Sequence, residues 1–600
     1  MLRTRSPRKE KISNCYLHSN SLSNKMDNSL LAVRDINHKY IVVERIDRIM
    51  TSKRTVFTVD GKPFIAIAGE SHNSSSSDAA YMQGVWDKAE EEGLNTLLLP
   101  VTWELTEPVE GQFDFTLVDT LINQARERKM HLIFLWFGTW KNAQCMYAPE
   151  WVKKDMVRFP RAQMEKGKNK TRLMAFYGME YTTLSAFGEE TVKADANAFA
   201  HLMSHIKEVD EKVGTVIGVQ VENETGMQGS DREHSNLADE KFAEEVPAEF
   251  VSYMKAHTDT MEAGVKEAVE NGADAGSWEQ VFGPYAGEIF TAYYVASYVG
   301  KVAAAGKAVY DLPFSANCWL DKGEEAGKYP TGGPVAKVME VWRYAAPSID
   351  VIAPDIYVPY FIEICDTYTK MDNPLFIPET ATHSHCAPRL IYTIGHYHAT
   401  CFAPFGFEDM GQQFNDISAY LFGVDVSDPL LQTPQNVEEY RWCASTLNEM
   451  MPLLTEAYGT NDLQAVISEK MDMTPMDLSN FNPALGISGM EKLGNPENDT
   501  MMFGDFGFKV MMNMPLVTRK DGVCLILKAE EDTYYILSNG CMITPFSANQ
   551  EKPNYDIIAL EEGKFVDGQW KAGRRLNGDE ASRFCYNDYS LVKLKVFAYK

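Results

Sequence analysis

Two stretches of the chain carry residues that could do chemistry together. VIGVQVENETG (216–226) is an apolar run that ends in amides and carboxylates, with Asn223 directly before Glu224. NPLFIPETA (373–381) is a second apolar run, and it ends in Glu379. A buried strand that delivers one glutamate at its C-terminal end, met twice, supplies what cleavage of a glycosidic bond requires. One carboxyl protonates the leaving oxygen, and the other attacks the sugar or activates water. The two must differ in protonation near neutral pH, and burial beside a neighbouring charge splits carboxyl pKa values in that way. A single glutamate after a strand is most often a loop residue; the pair, with an asparagine preceding the first, is a more specific signal for a glycoside hydrolase.

Positioning these groups requires a scaffold, and the pattern around them alternates strand with helix. Apolar runs at 63–69, 94–103, 131–140, 215–223, 312–319, 349–357, 374–380 and 401–407 read as eight buried strands. Amphipathic or apolar stretches at 78–93, 117–129, 195–212, 288–310, 333–346, 388–399 and 437–458 read as helices between and after them, with a shorter helical stretch before the seventh strand. Eight such repeats in about 400 residues predict an α/β fold, a (β/α)8 TIM barrel with inserted loops. An open doubly wound sheet is the rival, but no Gly-rich phosphate loop follows the first strand. In a barrel the reacting groups sit at the C-terminal ends of strands, where Glu224 (strand four) and Glu379 (strand seven) fall. The insertion at 141–195 reads as loop with short helices, and that at 227–283 as an acidic, polar segment. From about 459 the pattern changes to alternating strands at 523–530, 533–539, 555–570 and 591–599, which predict a sandwich-like all-β domain. The expected organisation is a flexible extension at 1–55, a catalytic barrel at 56–460 and an all-β accessory domain at 461–600.

Bulk properties narrow the function. The chain is 45% hydrophobic and 24% charged, with 84 acidic against 57 basic residues and a net charge of −27. That balance repels phosphate backbones and excludes nucleic acid as a natural partner. No run of eighteen apolar residues predicts a membrane span. The basic start MLRTRSPRKEKISNC lacks a following apolar region, so it reads as an extension, or as sequence upstream of a start near Met26 or Met50, rather than a secretory signal. Ten scattered cysteines without ligand spacing read as reduced thiols in a cytoplasmic protein, and no metal or cofactor is expected. One of the four Asn-x-Ser/Thr sequons, at Asn223, lies inside the candidate motif, where a glycan would block it. A homo-oligomer is compatible with all of this.

The motif resembles that of clan A glycoside hydrolases, and among them family 35 β-galactosidases most. The family's Q-x-E-N-E run is matched by Gln220, Glu222, Asn223 and Glu224. EEGLNTLLLPVTWELTEPVEGQFDF (91–115) and AGESHNSS (68–75) add to the likeness, which covers roughly 60–460. The C-terminal part, with GKFVDGQWKAGRRLNGDE (563–580), resembles an accessory domain of a bacterial and fungal subgroup. The chain departs from the pattern after strand three, where GTWKN (138–142) stands in place of Cys-Ala-Glu-Trp/Asn.

The resemblance implies that Glu224 is the acid/base and Glu379 the nucleophile of a retaining enzyme, with carboxyls about 5–5.5 Å apart. It implies hydrolysis of terminal β-D-galactosides, small or at the end of an oligo- or polysaccharide. A β-glucosidase or β-glucanase of the same clan, or a carbohydrate-binding pseudoenzyme, is the alternative. Asn223 would hydrogen-bond the sugar 2-hydroxyl, and Tyr357 would hold the nucleophile. Glu70, His72, Asn73 and Asn142 are candidates for other hydroxyls. Trp103, Trp140 and Trp319 end strands and offer rings for a sugar face, Trp319 foremost. Glu222 is expected to be a buried structural carboxylate with a basic partner, pointing the same way as Glu224 one layer deeper. His383 and His385 read as sugar-binding or structural.

Overall fold

The computed structural model describes residues 30–34, 40–44, 56–166, 169–172, 174–176, 179–413, 433–468, 497–512, 521–576, 580 and 588–600. The chain divides into two compact units, 1–49 and 50–600. In the first, Leu30–Arg34 and Tyr40–Glu44 pair as an antiparallel hairpin. That hairpin lies inside the segment expected to be a flexible extension; the rest of 1–55 lies outside the described residues.

The second unit contains the barrel. Its eight strands are β1 (Ala66–Glu70), β2 (Thr96–Thr102), β3 (His131–Phe137), β4 (Val216–Val221), β5 (Phe314–Cys318), β6 (Val351–Pro354), β7 (Phe376–Thr380) and β8 (Cys401–Pro404). They pair in parallel in the order β6-β5-β4-β3-β2-β1-β8-β7. The ring closes between β6 and β7 through a parallel bridge from Ile356 to Thr380. There Ile356 N–H donates to the Glu379 carbonyl at 2.9 Å, and the Thr380 hydroxyl to the Ile356 carbonyl at 2.8 Å. A helix follows each strand on the outside: α1 (Met82–Glu91), α2 (Thr116–Glu127), α3 (Glu189–Asp210), α4 (Ala286–Lys307), α5 (Met339–Ala345), α6 (Phe361–Tyr368), α7 (Cys386–Tyr392) and α8 (Val437–Ala457). This is the TIM barrel that the alternation predicts.

Local chemistry explains the elements. β2 reads TLLLPVT and is buried along its whole length, as a parallel strand covered on both faces must be. α1 buries Met82, Val85, Trp86 and Ala89, one stripe at helical spacing, and stops at Gly93, whose φ of +72° suits a glycine. The barrel interior holds Ala66, Ala68, Leu98, Ile133, Leu135, Phe137, Ile217, Val351, Ala353, Phe376, Cys401 and Ala403. A hairpin, Phe57–Val59 with Lys62–Phe64, closes the lower end by inserting Phe57 against Phe376, and a side chain at Gly218 would meet the Phe57 ring at 2.9 Å. Burial of that one ring contributes about 1.5–3 kcal/mol.

The insertions are more ordered than their composition suggests. Residues 141–195 contain one short helix, Glu150–Lys154, but also short strand pairs at 164–166/169–171 and 174–176/179–181. The acidic insertion forms four short helices, Asn236–Phe242, Ala248–Ala256, Ala263–Asn271 and Trp278–Phe282, which bury Phe250, Trp278 and Phe282 and leave the acids outside.

Beyond α8 come β9 (Leu463–Ile467), β10 (Glu497–Phe503), β11 (Phe506–Met512), β12 (Val523–Glu530), β13 (Thr533–Asn539), β14 (Cys541–Ser547), β15 (Asn554–Val566), β16 (Gln569–Leu576) and β17 (Ser590–Tyr599). They form a six-stranded antiparallel sheet, β9-β12-β13-β17-β15-β16, and a three-stranded one, β10-β11-β14. The stretch read as one strand at 555–570 is two, because Asp567 and Gly568 both take positive φ (51° and 68°) and make a two-residue hairpin turn. Along β12, Val523, Leu525 and Leu527 join the barrel's outer core, while Cys524 and Ile526 join the core shared with the smaller sheet.

Candidate active site

The C-terminal ends of the strands bring Glu224, Glu379, Asp355 and Glu70 into one mouth. One oxygen from each of Glu224, Asp355 and Glu379 lies within 4.8 Å of the other two. Glu224 is 2% exposed and Glu379 4%.

Backbone irregularities aim both glutamates. β7 alternates normally at its start, with Phe376 in the barrel interior and Ile377 among the helices. On a regular strand Glu379 would share the side of Ile377. The pairing register shifts between Ile377 and Thr380, and the shift turns Glu379 inward. β4 carries a similar irregularity between Val216 and Gly218 and ends at Val221. Glu222 and Glu224 then take positive φ, 62° and 45°, so strand alternation no longer governs them. Strained backbone of this kind clusters at functional sites.

Glu379 is held from three sides. The Tyr357 hydroxyl donates to Oε2 at 2.8 Å, while the amides of Asn223 and Asn317 approach Oε1 at 3.4 Å each. Asn317 is the hub: its Oδ1 accepts the Glu224 backbone N–H at 2.9 Å, which forces its NH2 towards Asp355 Oδ2 (3.0 Å) and Glu379. Lys141 is buried, with Nζ donating to Asn223 Oδ1 at 2.9 Å and lying 5.2 Å from the centre of the Phe137 ring. That bond fixes the Asn223 amide so that its NH2 faces Glu379.

The charges are strongly coupled. Burial first, then Glu379, push the Glu224 carboxyl up to about 8, against the lowering pull of Lys141, Asp355 and the Trp319 indole. Burial raises Glu70 and Asp355 well above the carboxylate range, and Glu379 adds to both shifts. Burial opposes the Lys141 charge, but Glu379, Glu224, Glu70 and Asp355 together hold its pKa above the usual value. The mouth therefore keeps protons on several acids and one counter-ion among them. Three acid oxygens at this spacing are close enough for a cation, but Lys141 already supplies the positive charge, and we assign no metal to them.

Residues 76–264 match the family profile described as Beta-galactosidase, that of glycoside hydrolase family 42. That match lies within the first half of the barrel and is a likeness over under a third of the chain. The profile that matches is thus a family 42 one, whereas the Gln220–Glu224 run resembles family 35 of the same clan. A β-galactosidase of Xanthomonas manihotis is 30% identical over 190 residues, which are 31% of this chain and 28% of that protein's length. Among solved structures, a catalytic mutant of Gan42B, a family 42 β-galactosidase of G. stearothermophilus, is similar with a TM-score of 0.45 at 11% identity, over 90% of this chain and all of its own. The β-galactosidase of Rahnella sp. R3 gives 0.43 at 14% identity, over 68% and 58% of the two chains. Residues 445–585 match a domain described as of unknown function.

The other candidate residues have varied surroundings. Trp103 is fully buried, donates its indole N–H to Glu107 at 2.9 Å and packs edge-on against Trp151, so its ring offers no face to a sugar. β2 ends at Thr102, and the short helix that starts at Trp103 turns the ring away. Among the described residues Glu222 has no basic partner, contrary to expectation; burial and Asp195 raise its carboxyl well above normal. It lies against α3 and α4 rather than below Glu224. Trp140 is buried edge-on against Tyr298. His72 bonds Asp409 at 2.9 Å beside Phe405, and Asn73 next to it keeps a buried Oδ1 without a donor among the described residues. Asn142 adopts a left-handed turn (φ 50°) directly after Lys141. His383 and His385 are buried beside Arg389; burial and that cation take His385 down to about 3 and His383 well below normal, which suits neutral structural rings.

Reasoning from sequence missed Lys141, Asn317 and Asp355. The signal was their position: Asn317 lies in β5, Asp355 directly follows β6 and Lys141 stands in GTWKN, where the chain departs from the resemblance.

No helix among the described residues is long and apolar enough to cross a membrane. The eight described cysteines are all buried.

Proposed function

We propose that the protein is a retaining exo-β-galactosidase, with Glu224 as acid/base and Glu379 as nucleophile. The observation that carries this is the pair itself: two carboxyls within 4.8 Å, one of them holding its proton to about pH 8. A gap that short leaves no room for a water between nucleophile and anomeric carbon, which inversion needs. The family 42 match over 76–264 favours galactose.

The steps follow from the geometry. Glu379, its Oε2 held by Tyr357, attacks the anomeric carbon while Glu224 gives its proton to the departing oxygen. Water then enters, Glu224 removes its proton, and the hydroxide displaces Glu379, so two inversions give net retention. Asn223, oriented by Lys141, presents its NH2 beside Glu379, where a sugar 2-hydroxyl would sit. Glu70, 0% exposed and with neither oxygen hydrogen-bonded among the described residues, would receive another hydroxyl. Trp319, partly buried beside Glu224, is the ring for the sugar face.

A panel of nitrophenyl β-glycosides tests the reading. The galactoside is expected to be cleaved fastest, with the β-anomer appearing first by proton NMR. Preference for the glucoside moves the substrate to the clan's glucosidases, and an α-anomer appearing first overturns the mechanism.

A further inference from the structure

Asp355 is a buried acid that the proposed mechanism does not yet use. It follows β6, is 3% exposed, and its Oδ2 accepts from the Asn317 amide at 3.0 Å. Its Oδ1 is buried and receives no donor among the described residues. Glu224 Oε2 is likewise buried without a donor. The two carboxyls are within hydrogen-bonding reach of each other. Two carboxylates facing in this way repel; one proton between them satisfies both orphaned oxygens at once.

We propose that Asp355 is a positioning residue that stays protonated and donates a hydrogen bond to Glu224 whenever Glu224 is ionised. The inference rests on the acid/base role of Glu224. During the first step the Glu224 proton leaves for the glycosidic oxygen, and its O–H bonding pair stays on the carboxylate. The Asp355 hydroxyl then donates to that new anion without losing its own proton. When Glu224 later takes a proton from water, the pair returns to its starting state, so nothing is consumed. The surroundings agree in sign. Glu379 and Glu70 face Asp355 from β7 and β1 with the Cys318 thiol beside them, and all three disfavour a further negative charge there; Asn317 donates to it. Lys141, the one cation in the mouth among the described residues, is tied to Asn223.

The test compares Asp355→Asn and Asp355→Ala in the full chain, reading kcat/KM against pH with an alkyl galactoside and with a dinitrophenyl galactoside. Alanine removes the donor, so the Glu224 anion is less stable and the alkaline limb is expected to move up by about one pH unit. The alkyl substrate is expected to lose about thirtyfold, and the dinitrophenyl substrate much less, since its leaving group needs no proton. Asparagine keeps an N–H donor and is expected to fall only about threefold, with the limb near its original place. A limb that stays or moves down in the alanine variant, or an asparagine variant as impaired as alanine, overturns the proposal. A readout independent of turnover is the infrared difference spectrum between wild type and Asp355→Asn at pH 7. A protonated-carboxyl band lost in the variant supports the proposal even if alanine fails to fold, and its absence overturns it. If wild type cleaves no glycoside, the activity assignment falls, while the infrared band still reports the proton.

Discussion

Two buried acid clusters start two residues apart in the chain and use burial for opposite ends. Glu224 faces the mouth with Glu379, Asp355 and Glu70, where oxygens are left without donors and a lysine is the counter-ion. Glu222 faces the helices, where its Oε2 accepts the Trp140 backbone N–H at 2.7 Å and Asp195 lies beside it. Asp195 in turn accepts from the Trp136 indole at 2.9 Å and the Tyr298 hydroxyl at 3.0 Å. Gly138 makes that second cluster possible, since a Cβ there would come within 2.4 Å of Trp136 Nε1 and 2.7 Å of both Asp195 and Glu222 oxygens. The second cluster takes donors from Trp140, Trp136 and Tyr298, although Glu222 Oε1 finds none among the described residues, and it ties the loop after β3 to β4. The first leaves more oxygens without donors among the described residues, as expected of a pocket whose partners arrive with a substrate. Neither burial nor an unmet oxygen alone marks a reacting acid, since Glu222 Oε1 and both Glu92 oxygens share those traits; convergence of several carboxyls and a buried lysine at the C-terminal ends of the strands is what sets the mouth apart.

The comparison breaks most sharply in the mouth. Glu379→Ala is expected to lower kcat about ten-thousandfold and to abolish covalent labelling by a 2-fluoro galactoside. Glu224→Gln is expected to cost about a thousandfold on alkyl galactosides and far less on the first step with dinitrophenyl galactosides. In wild type, activity depends on protonated Glu224 and is expected to fall as pH rises through about 8, a limb that Glu224→Gln removes. Equal losses on both substrate types would mean that Glu224 is not the acid.

Lys141→Met sharpens the contrast by taking away the counter-ion. Loss of Asn223 orientation is expected to lower kcat/KM about a hundredfold. Because Lys141 lowers the Glu224 pKa, its removal is expected to move the alkaline limb upward. A downward shift would show that Lys141 acts on another group.

The second cluster is expected to answer in stability rather than rate. A carboxyl whose pKa is raised on folding takes up a proton, so the stability it provides is present at low pH and lost as pH rises above the ordinary carboxyl range. Glu222→Gln removes that dependence; thermal melts from pH 5 to pH 9 are expected to show a flatter Tm than wild type, with kcat changed only a few-fold. A thousandfold kinetic loss would place Glu222 in the reaction. The smallest effect is expected for Trp103→Phe, which gives up one buried hydrogen bond and some packing, about 1–2 kcal/mol in a melt, with KM unchanged.

The barrel was legible in the sequence because parallel strands covered on both sides read as continuous apolar runs such as TLLLPVT, and helices as stripes such as Met82, Val85, Trp86 and Ala89. Glu224 and Glu379 were legible because each closes such a run. Side-chain direction was not. Period-two reasoning placed Glu222 below Glu224, but a register shift in β4 and two residues of positive φ undo the period. Asn317 and Asp355 escaped notice because an amide and an acid near strand ends acquire a role only when neighbouring strands set them 3.0 Å apart. Trp103 misled because one residue past a strand end is enough to turn a ring into the wall.

Gly395 follows α7 where the barrel's outer layer comes close to the C-terminal sheet; a Cβ there would lie 2.5 Å from that of Ala465 and 2.9 Å from a Leu525 methyl. The segment bearing it connects β7, which carries Glu379, to β8. A gene fragment cut near residue 460 would thus strip the covering from the connection behind the nucleophile's strand. For recombination or protein engineering, the useful breakpoints lie outside this seam, and the two sheet systems travel as a single cassette.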